Sequence, residues 1–248
     1  GKVDLAMIPI ENSLAGRVAD IHHLMPESNL YIIGEHFLPV HHCLLVAEGG
    51  GLETIKAVHS HVHALGQCRN VIRELGLKAV VAADTAGAAR ELSQSGDVTQ
   101  AAFATSLAAD IYGLKTLRAD VEDEDHNMTR FVIMAAEPAD AEPEDAPVVT
   151  SFVFRVRNVP AALYKAMGGF ATNGVNMTKL ESYQIDGQFF ATQFYADIEG
   201  HPTERPVRLA LEELAFFTSH LRILGTYKAS PTRAELAKKA AAAAGLVE

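Results

Sequence analysis

Apolar runs separated by polar turns predict alternating strands and helices over the first half of the chain. The predicted strands are residues 3–10, 31–37, 40–47, 54–60, 78–83 and 101–104. The predicted helices are residues 62–75, 85–93 and 106–112, with Gly76 and Gly113 at two helix ends. Because strands that alternate with helices are usually parallel and covered on both faces, this half is predicted to be an α/β domain.

The pattern changes after an acidic, proline-rich segment. Residues 137–147 carry five carboxylates and three prolines among alanines, a composition typical of a linker. The following 80 or so residues predict a βαββαβ order with a two-residue hairpin at Asp186-Gly187. Its strands are predicted at residues 149–156, 177–185, 188–198 and 220–227, with helices after Pro160 and around residues 207–217. The alanine-rich end, from residue 230, is expected to be at most a weakly tethered helix.

Composition narrows the class of protein. The 248 residues are 48% hydrophobic, and the formal charge of -10 disfavours nucleic acid and anionic membranes as partners, although a local pocket can still bind a small anion. Cys43 and Cys68 show no metal or disulfide spacing, no apolar run is long enough to span a bilayer, and no leader opens the chain; we therefore expect a cytoplasmic protein. The chain starts at Gly1 with a strand-like run at once, so we expect the first domain to lack its front segment.

Residues 127–131 are the strongest candidate for chemistry, since an acidic loop there leads directly into an apolar strand. Arg130 can hold a carboxylate through two parallel hydrogen bonds, and the Thr129 hydroxyl can donate or accept beside it. Such a site works by positioning and hydrogen bonding. The alternative is a strand-capping Thr and a surface Arg.

Two further junctions carry polar groups at element ends. Glu11, Asn12 and Ser13 follow the first strand, where Asn12 or Ser13 can also be a simple helix cap. Ser60 and His61 precede a predicted helix, whose free N–H groups favour an anion. A metal site from His59, His61, His63 and Cys68 is conceivable, but their spacing does not converge, and no metal is predicted.

Together these motifs resemble the prephenate dehydratase family. The likeness extends to about residue 227 and is carried by the residues 8–13 (IPIENS), 60–61 with 64–68 (SH, ALGQC), 108–114 (AADIYGL) and 127–131 (NMTRF). The βαββαβ segment resembles the ACT regulatory domain of that family through residues 161–164 (AALY) and 176–182 (NMTKLES).

The resemblance implies conversion of prephenate to phenylpyruvate, carbon dioxide and water, with no metal or organic cofactor. It implies that Thr129 hydrogen-bonds to the leaving hydroxyl and that Arg130 holds a carboxylate or orders the loop. Glu11 is the third catalytic candidate, although a carboxylate beside a dianion is costly, so it can instead orient Asn12 and Ser13. The substrate-binding candidates are Asn12, Ser13, Ser60, His61, Gln67, Thr85, Asn127 and Phe131.

The implied architecture is a two-lobed catalytic domain like periplasmic binding proteins, followed by the ferredoxin-like ACT domain. We expect the catalytic domain at residues 1–137, a linker at 138–147, the ACT domain at 148–228 and a tail at 229–248. The family's first strand and loop, ahead of Asp4, are missing from the sequence, so we expect weak or absent activity if this chain is all there is.

The ACT resemblance implies control by L-phenylalanine, bound between two such domains in a homodimer or homotetramer. The effector-binding candidates are Pro160, Ala161, Ala162, Leu163, Asn176, Glu181 and Ser182. The family usually follows Glu-Ser with Arg-Pro, but Tyr183-Gln184 stands here, which leaves the response open. Dimerisation without an effector, a non-catalytic amino-acid sensor and arogenate dehydratase are the alternatives.

Overall fold

The computed structural model describes residues 3–145, 147–184 and 191–243. The described chain forms two compact units. The mixed-sheet unit comprises residues 12–16 and 38–129, and the two-sheet unit comprises the described residues of 3–11, 17–37 and 130–243. This division groups the βαββαβ segment with the first strand and the last helix of the described chain. The domain and linker bounds predicted at residues 137, 147 and 228 stay predictions.

The mixed-sheet unit contains a five-stranded sheet with the order β6-β5-β7-β4-β8. Its strands are β4 (Cys43–Val46), β5 (Ala57–Ser60), β6 (Lys78–Val81), β7 (Gln100–Ala104) and β8 (Lys115–Arg118), and its helices are α2 (Val62–Gln67), α3 (Arg69–Glu74), α4 (Thr85–Ser95) and α5 (Ser106–Tyr112). Helices α4 and α5 begin after the side-chain caps Asp84 and Thr105 and end at the left-handed glycines Gly96 and Gly113.

Two predictions for this unit are wrong in part. The predicted all-parallel arrangement holds for β5 with β6 and β7, but β4 pairs antiparallel with β7 and β8. The predicted helix over residues 62–75 is divided at Cys68. Asp123 causes this division locally, because its carboxylate accepts the N–H groups of Arg69 and Asn70 and so begins a second helix.

The two-sheet unit is built from a pair of four-stranded sheets. One has the order β2-β1-β9-β3 and the other β11-β12-β10-β13. The elements are β1 (Leu5–Asn12), β2 (Gly16–Arg17), α1 (Ala19–Leu24), β3 (Tyr31–Pro39), β9 (Met128–Ala135), β10 (Val148–Val156), α6 (Ala162–Thr172), β11 (Met177–Gln184), β12 (Ala191–Glu199), α7 (Arg205–Phe217), β13 (Thr218–Lys228) and α8 (Pro231–Ala243). Strand β1 ends in the mixed-sheet unit, because the chain leaves the two-sheet unit between Glu11 and Asn12. Strand β9 begins in the mixed-sheet unit, and the chain enters the two-sheet unit again between Thr129 and Arg130.

The two sheets pack through a shared apolar core that includes Ile10, Ile32, Val132, Val149 and Leu224. Alternate residues of β10 and β12, such as Phe152 and Phe194, pack instead against α6 and α7. Strand β13 approaches β3 so closely that a Cβ at Gly225 would collide with the Ile32 carbonyl oxygen. A glycine is therefore required where the two sheets meet.

The predicted βαββαβ order is present as β10-α6-β11-β12-α7-β13, and neighbouring strands β10, β12 and β13 are antiparallel. The predicted hairpin at Asp186-Gly187 lies outside the described residues.

The end of the chain is held more firmly than predicted. In helix α8, Arg233 makes a two-pronged ion pair with the fully buried Glu35 of β3, with Nε–Oε1 at 2.6 Å and Nη2–Oε2 at 2.9 Å. The Ser230 N–H also donates to Glu35. The prediction of a weakly tethered tail is wrong for this helix, because a charged partner 198 positions earlier fixes it.

Within the described ranges, no helix combines the length and apolar character needed to cross a membrane.

Candidate active site

Asn12 is the fixed point of a hydrogen-bond network at the end of β1. Its Oδ1 accepts the backbone N–H groups of Leu14 at 3.0 Å and Ala15 at 2.8 Å. Since two backbone donors occupy Oδ1, the orientation of the amide is set, and Nδ2 must donate on its other side. There it donates to Asn127 Oδ1 at 2.9 Å, to Thr129 Oγ1 at 3.0 Å and to Met128 O at 3.2 Å.

This orientation passes along the network to Gln67. Because Asn127 Oδ1 accepts from Asn12, its Nδ2 faces away and donates to Gln67 Oε1 at 2.9 Å. His42 Nε2 lies 3.0 Å from the same oxygen. With Oε1 accepting from two donors, the Gln67 Nε2 group is left to point elsewhere.

The direction of these bonds assigns a chemical role to Thr129. Its Oγ1 accepts from Asn12, which leaves its own O–H hydrogen for another acceptor. Thr129 is partly exposed at the start of β9, so an external group can reach it. The network therefore presents a hydroxyl donor whose orientation traces back to two backbone N–H groups.

The structure brings Ser13, another of the predicted substrate residues, to this network. The Ser13 hydroxyl donates to His126 O at 2.7 Å and accepts from Met128 N at 2.9 Å, beside Asn127 and Thr129.

Ser60, His61 and Thr85 have other local partners. Ser60 is completely buried, and its hydroxyl donates to Phe103 O in the sheet at 2.7 Å. His61 caps the six-residue helix α2 through His63 N, and Thr85 is the first residue of α4. Phe131 lies in the two-sheet unit, partly buried in β9.

Gln67 lines a cavity of about 730 Å³ in the mixed-sheet unit. Three basic side chains, His63, Arg69 and Arg73, line it together with the acidic Asp123 and Glu124. The remaining lining residues are Leu14, Ala15, Val62, Gly66 and Asn70. This cavity combines cations with amide donors, the groups that a small carboxylate ligand requires.

Arg130 points into the two-sheet unit, where it is only 3% exposed and surrounded by acceptors. Nε donates to Glu35 at 2.8 Å, Nη1 to Asp197 at 2.6 Å and Glu11 at 2.9 Å, and Nη2 to the Tyr227 hydroxyl at 2.9 Å. Burial lowers the pKa of Arg130, but the surrounding negative charges, Asp197 above all, raise it by a larger amount. The guanidinium therefore stays charged. Four of its five N–H groups are thus occupied by protein partners.

Asp197 is the fully buried centre of this ionic cluster. Burial raises the pKa of its carboxyl group, yet Arg130 and hydrogen bonds from Ser151 and Tyr195 outweigh burial, so the pKa lies below its usual value. The sequence reasoning missed Glu35 and Asp197. A lone acid inside an apolar strand was the available signal, since a buried carboxylate requires a cationic partner.

Glu11 is shared between two cations. Its Oε1 lies 2.9 Å from Arg130 Nη1 and its Oε2 lies 2.6 Å from Lys179 Nζ, and Lys179 also pairs with Glu181 at 3.2 Å. Burial raises the pKa of Glu11, but Lys179 and Arg130 together lower it below the ordinary value. Glu11 is therefore an ionised, paired carboxylate that links β1 to β11.

In the described chain, His41, Asp120 and Glu122 form a cluster of side chains of the types that bind metal ions. Their ligand atoms lie within 4.8 Å of one another. Glu122 is already engaged, because its oxygens bond to His41 Nδ1 at 2.7 Å and accept from the His42 N–H at 2.9 Å. The arrangement is that of a hydrogen-bonded loop anchor. His59, by contrast, bonds to Gln100, and Cys68 is buried in the core.

The predicted effector residues fall into two groups. Ala161, Ala162 and Leu163, next to Pro160, line a cavity of about 250 Å³ with Phe194. Ser182 is paired with Phe194 in the sheet, whereas Asn176 precedes β11 at its opposite end and donates to Glu199. Glu181 faces Lys179 and Arg17.

Comparisons with known families, curated proteins and solved structures show what this chain is similar to. The family model for prephenate dehydratase matches residues 1–139. A bifunctional N-acyl-homoserine lactone acylase/prephenate dehydratase from Komagataeibacter europaeus is 52% identical over 94% of this chain and 83% of its own length. Arogenate dehydratase/prephenate dehydratase 1 from Arabidopsis thaliana is 39% identical over 91% of this chain, which spans only 61% of that protein. The solved structure of prephenate dehydratase from Arthrobacter aurescens in complex with L-Phe has a TM-score of 0.83 and 29% identity, covering 99% of this chain and 85% of that one.

These matches define the class as carbon–oxygen lyases with a mixed α/β fold. The chain belongs to the prephenate dehydratase family. The family and the dehydratase function predicted from the sequence are thereby confirmed, while control by phenylalanine stays a prediction.

Proposed function

We propose that Thr129 is the residue of this dehydratase that assists loss of the substrate's ring hydroxyl. In this reaction the bond between the ring and its carboxylate breaks, and its electron pair forms the last ring double bond while the C–O bond opposite breaks. Carbon dioxide and hydroxide leave, and the hydroxide becomes water by taking a proton. The observation that carries the assignment is the Asn12–Thr129 hydrogen bond, which leaves the Thr129 O–H hydrogen available for that oxygen.

The neutral amides of the network suit a substrate with two carboxylates. A carboxylate on the protein at the reacting centre would repel such a dianion, whereas Asn12, Asn127 and Gln67 add donors without negative charge. We assign Gln67 Nε2 and the cavity cations Arg69 and Arg73 to the carboxylates of prephenate.

Arg130 and Glu11 have a positioning role in this proposal. The buried Arg130 is engaged by four acceptors, which favours the second of the two roles expected for it, ordering of the chain beside Thr129. Glu11 is ionised and held by two cations, which makes it a poor proton donor. Glu11 is the chain neighbour of Asn12, and Arg130 is the chain neighbour of Thr129. Fixing Glu11 and Arg130 therefore restricts the backbone beside both network residues.

We further propose that the βαββαβ segment is an ACT domain that responds to phenylalanine. Residues 161–163 border a small cavity that can receive an amino acid, and Asn176 lies at the far end of β11, so completing the pocket would require a second copy of the chain. The ion pairs Glu181–Lys179–Glu11–Arg130 give a physical connection from β11 to the residue beside Thr129. A cytoplasmic homodimer or homotetramer fits this proposal.

Amide hydrolysis of N-acyl-homoserine lactones is a second candidate function. The observation favouring it is the 52% identity, over 94% of this chain, to a relative whose name includes that activity. Arogenate is the alternative dehydratase substrate, because it differs from prephenate in carrying an amino group in place of the keto oxygen of the side chain.

A three-substrate assay on the purified chain separates these functions. Prephenate is expected to yield phenylpyruvate, followed by its absorbance in alkali, at a higher kcat/KM than arogenate yields phenylalanine. Release of homoserine lactone from an N-acyl derivative would establish the second function. Absence of phenylpyruvate, with either other product formed, would overturn the proposal.

A further inference from the structure

His42 is a buried side chain with one bonded and one unbonded ring nitrogen. It is 5% exposed, its Nε2 lies 3.0 Å from Gln67 Oε1, and its Nδ1 has no hydrogen-bond partner in the described part of the chain. Leaving a buried polar atom unpaired is costly, so a specific benefit is expected in return.

The hydrogen-bond directions fix which His42 nitrogen carries hydrogen. Leu14 and Ala15 orient Asn12, Asn12 orients Asn127, and Asn127 Nδ2 donates to Gln67 Oε1. Gln67 therefore presents an oxygen to His42, and His42 Nε2 must be the donor. Without His42, Gln67 Oε1 would keep a single donor and its amide group could rotate.

The acidic segment 120–125, which resembles a solvated loop in sequence, holds both partners in place. Val121 N donates to His42 O at 2.9 Å, and the Glu122 carboxylate accepts the His42 N–H at 2.9 Å. Asp123 N donates to Gln67 O at 2.6 Å. Burial raises the pKa of Glu122, but the His42 N–H and other hydrogen bonds lower it below its usual value, so the anchor is ionised.

We propose that His42 is a positioning residue that directs the Gln67 Nε2 group into the substrate cavity. This inference rests on the proposed function of Gln67 as a ligand for a substrate carboxylate. His42 itself touches no substrate in this arrangement, and its effect passes through the Gln67 amide.

Two substitutions distinguish the hydrogen bond from the bulk of the ring. His42→Gln keeps an N–H donor near the position of Nε2, whereas His42→Leu removes it at similar volume. With prephenate, we expect His42→Leu to raise KM about 3- to 10-fold, the equivalent of one neutral hydrogen bond, and His42→Gln to restore most of the loss. The double variant His42→Leu/Gln67→Leu should be no worse than Gln67→Leu alone. Multiplied losses in the double variant, or an unchanged KM in His42→Leu, would overturn the proposal.

A measurement independent of turnover separates this inference from the function itself. In protein labelled with ¹⁵N at histidine and glutamine side chains, His42 should show a protonated Nε2, and His42→Leu should shift the Gln67 amide signal. His220→Leu, at an exposed ring of β13 in the two-sheet unit, should leave the Gln67 signal in place. A His42 ring protonated only at Nδ1 would contradict the proposal even if the enzyme turns over prephenate, and an inactive wild-type chain with the expected signals would refute only the function.

Discussion

Arg130 Nη1 lies 2.6 Å from Asp197 Oδ2, and both side chains are buried in the two-sheet unit. Asp197 belongs to β12 of the βαββαβ segment, and Arg130 immediately follows Thr129 in β9. The residue proposed to touch the leaving group is therefore the chain neighbour of a cation held by the proposed regulatory segment. This pair adds a buried ionic contact between β9 and β12 to the apolar core that the two sheets share.

Asp197→Asn should strongly destabilise the fold. The amide keeps the shape but removes one of the negative charges that compensate buried Arg130, and breaking a buried pair on one side typically costs about 3–5 kcal/mol. The free energy of unfolding in urea is the measurement. Glu212→Gln, which breaks the exposed pair with Arg208, is the control and should change it by less than about 1 kcal/mol. Equal losses in both variants would refute the special role of the cluster.

Tyr227→Phe should reduce the change in dehydratase rate that phenylalanine produces. The Tyr227 hydroxyl accepts from Arg130 and bonds to Ser151, so its loss weakens the connection between β13 and Arg130. Tyr195→Phe is a matched control, because Tyr195 is equally buried and bonds to Ser151 and Asp197 but makes no hydrogen bond to Arg130 in the described chain. The ratio of rates with and without phenylalanine is measured for each. A larger effect of Tyr195→Phe would argue for a different connection.

Asn12→Asp should lower kcat about 10- to 100-fold. The carboxylate can still accept from Leu14 and Ala15, but it no longer donates to Asn127 Oδ1 and Thr129 Oγ1, a loss of roughly 1.4–3 kcal/mol. Steady-state kinetics with prephenate measures the effect. Asn29→Asp, on the exposed surface, should match the wild type. An Asn12→Asp enzyme with normal kcat would exclude Asn12 as the group that orients Thr129.

The buried His22 should make the fold less stable in mild acid. Burial lowers its pKa below the ordinary 6.5, more than the hydrogen bond to Val18 O raises it. The unfolded chain therefore binds a proton that the folded chain does not, so stability falls as pH decreases below about 6.5 until the folded-state pKa is reached. His22→Asn cannot titrate. Denaturation at pH 7.5 and 5.5 should show a larger loss for the wild type than for this variant, and parallel losses would contradict the assignment.

The sequence was sufficient for the parts of the structure that depend on local pattern. The βαββαβ order, the stripe of Ala166 and Phe170 on α6, and the end of α5 at Gly113 follow from periodicity and helix-stop signals. The grouping of Asn12, Asn127, Thr129 and Gln67 was expected from the family resemblance, and their hydrogen bonds support it, although their substrate contacts stay predictions.

Features that depend on distant residues could not be predicted in this way. The division at Cys68 depends on Asp123, which lies 54 positions beyond Arg69. The environment of Arg130 is assembled from Glu11, Glu35, Asp197 and Tyr227, which are far apart in the chain. A sequence pattern indicates that a buried acid needs a cation, but it does not say which one.

The role of the Thr129 hydroxyl is tested by comparing three substitutions in the prephenate assay. Thr129→Ser keeps the hydroxyl, Thr129→Val keeps the shape without it, and Thr129→Ala removes both. We expect Ser to retain kcat within about tenfold, and Val and Ala to lose about 10²- to 10⁴-fold, the usual contribution of a positioned proton donor. Circular dichroism and urea unfolding would verify that each variant is folded. A Thr129→Val enzyme that forms phenylpyruvate at the wild-type rate would contradict the assignment of Thr129 as the donor to the leaving hydroxyl.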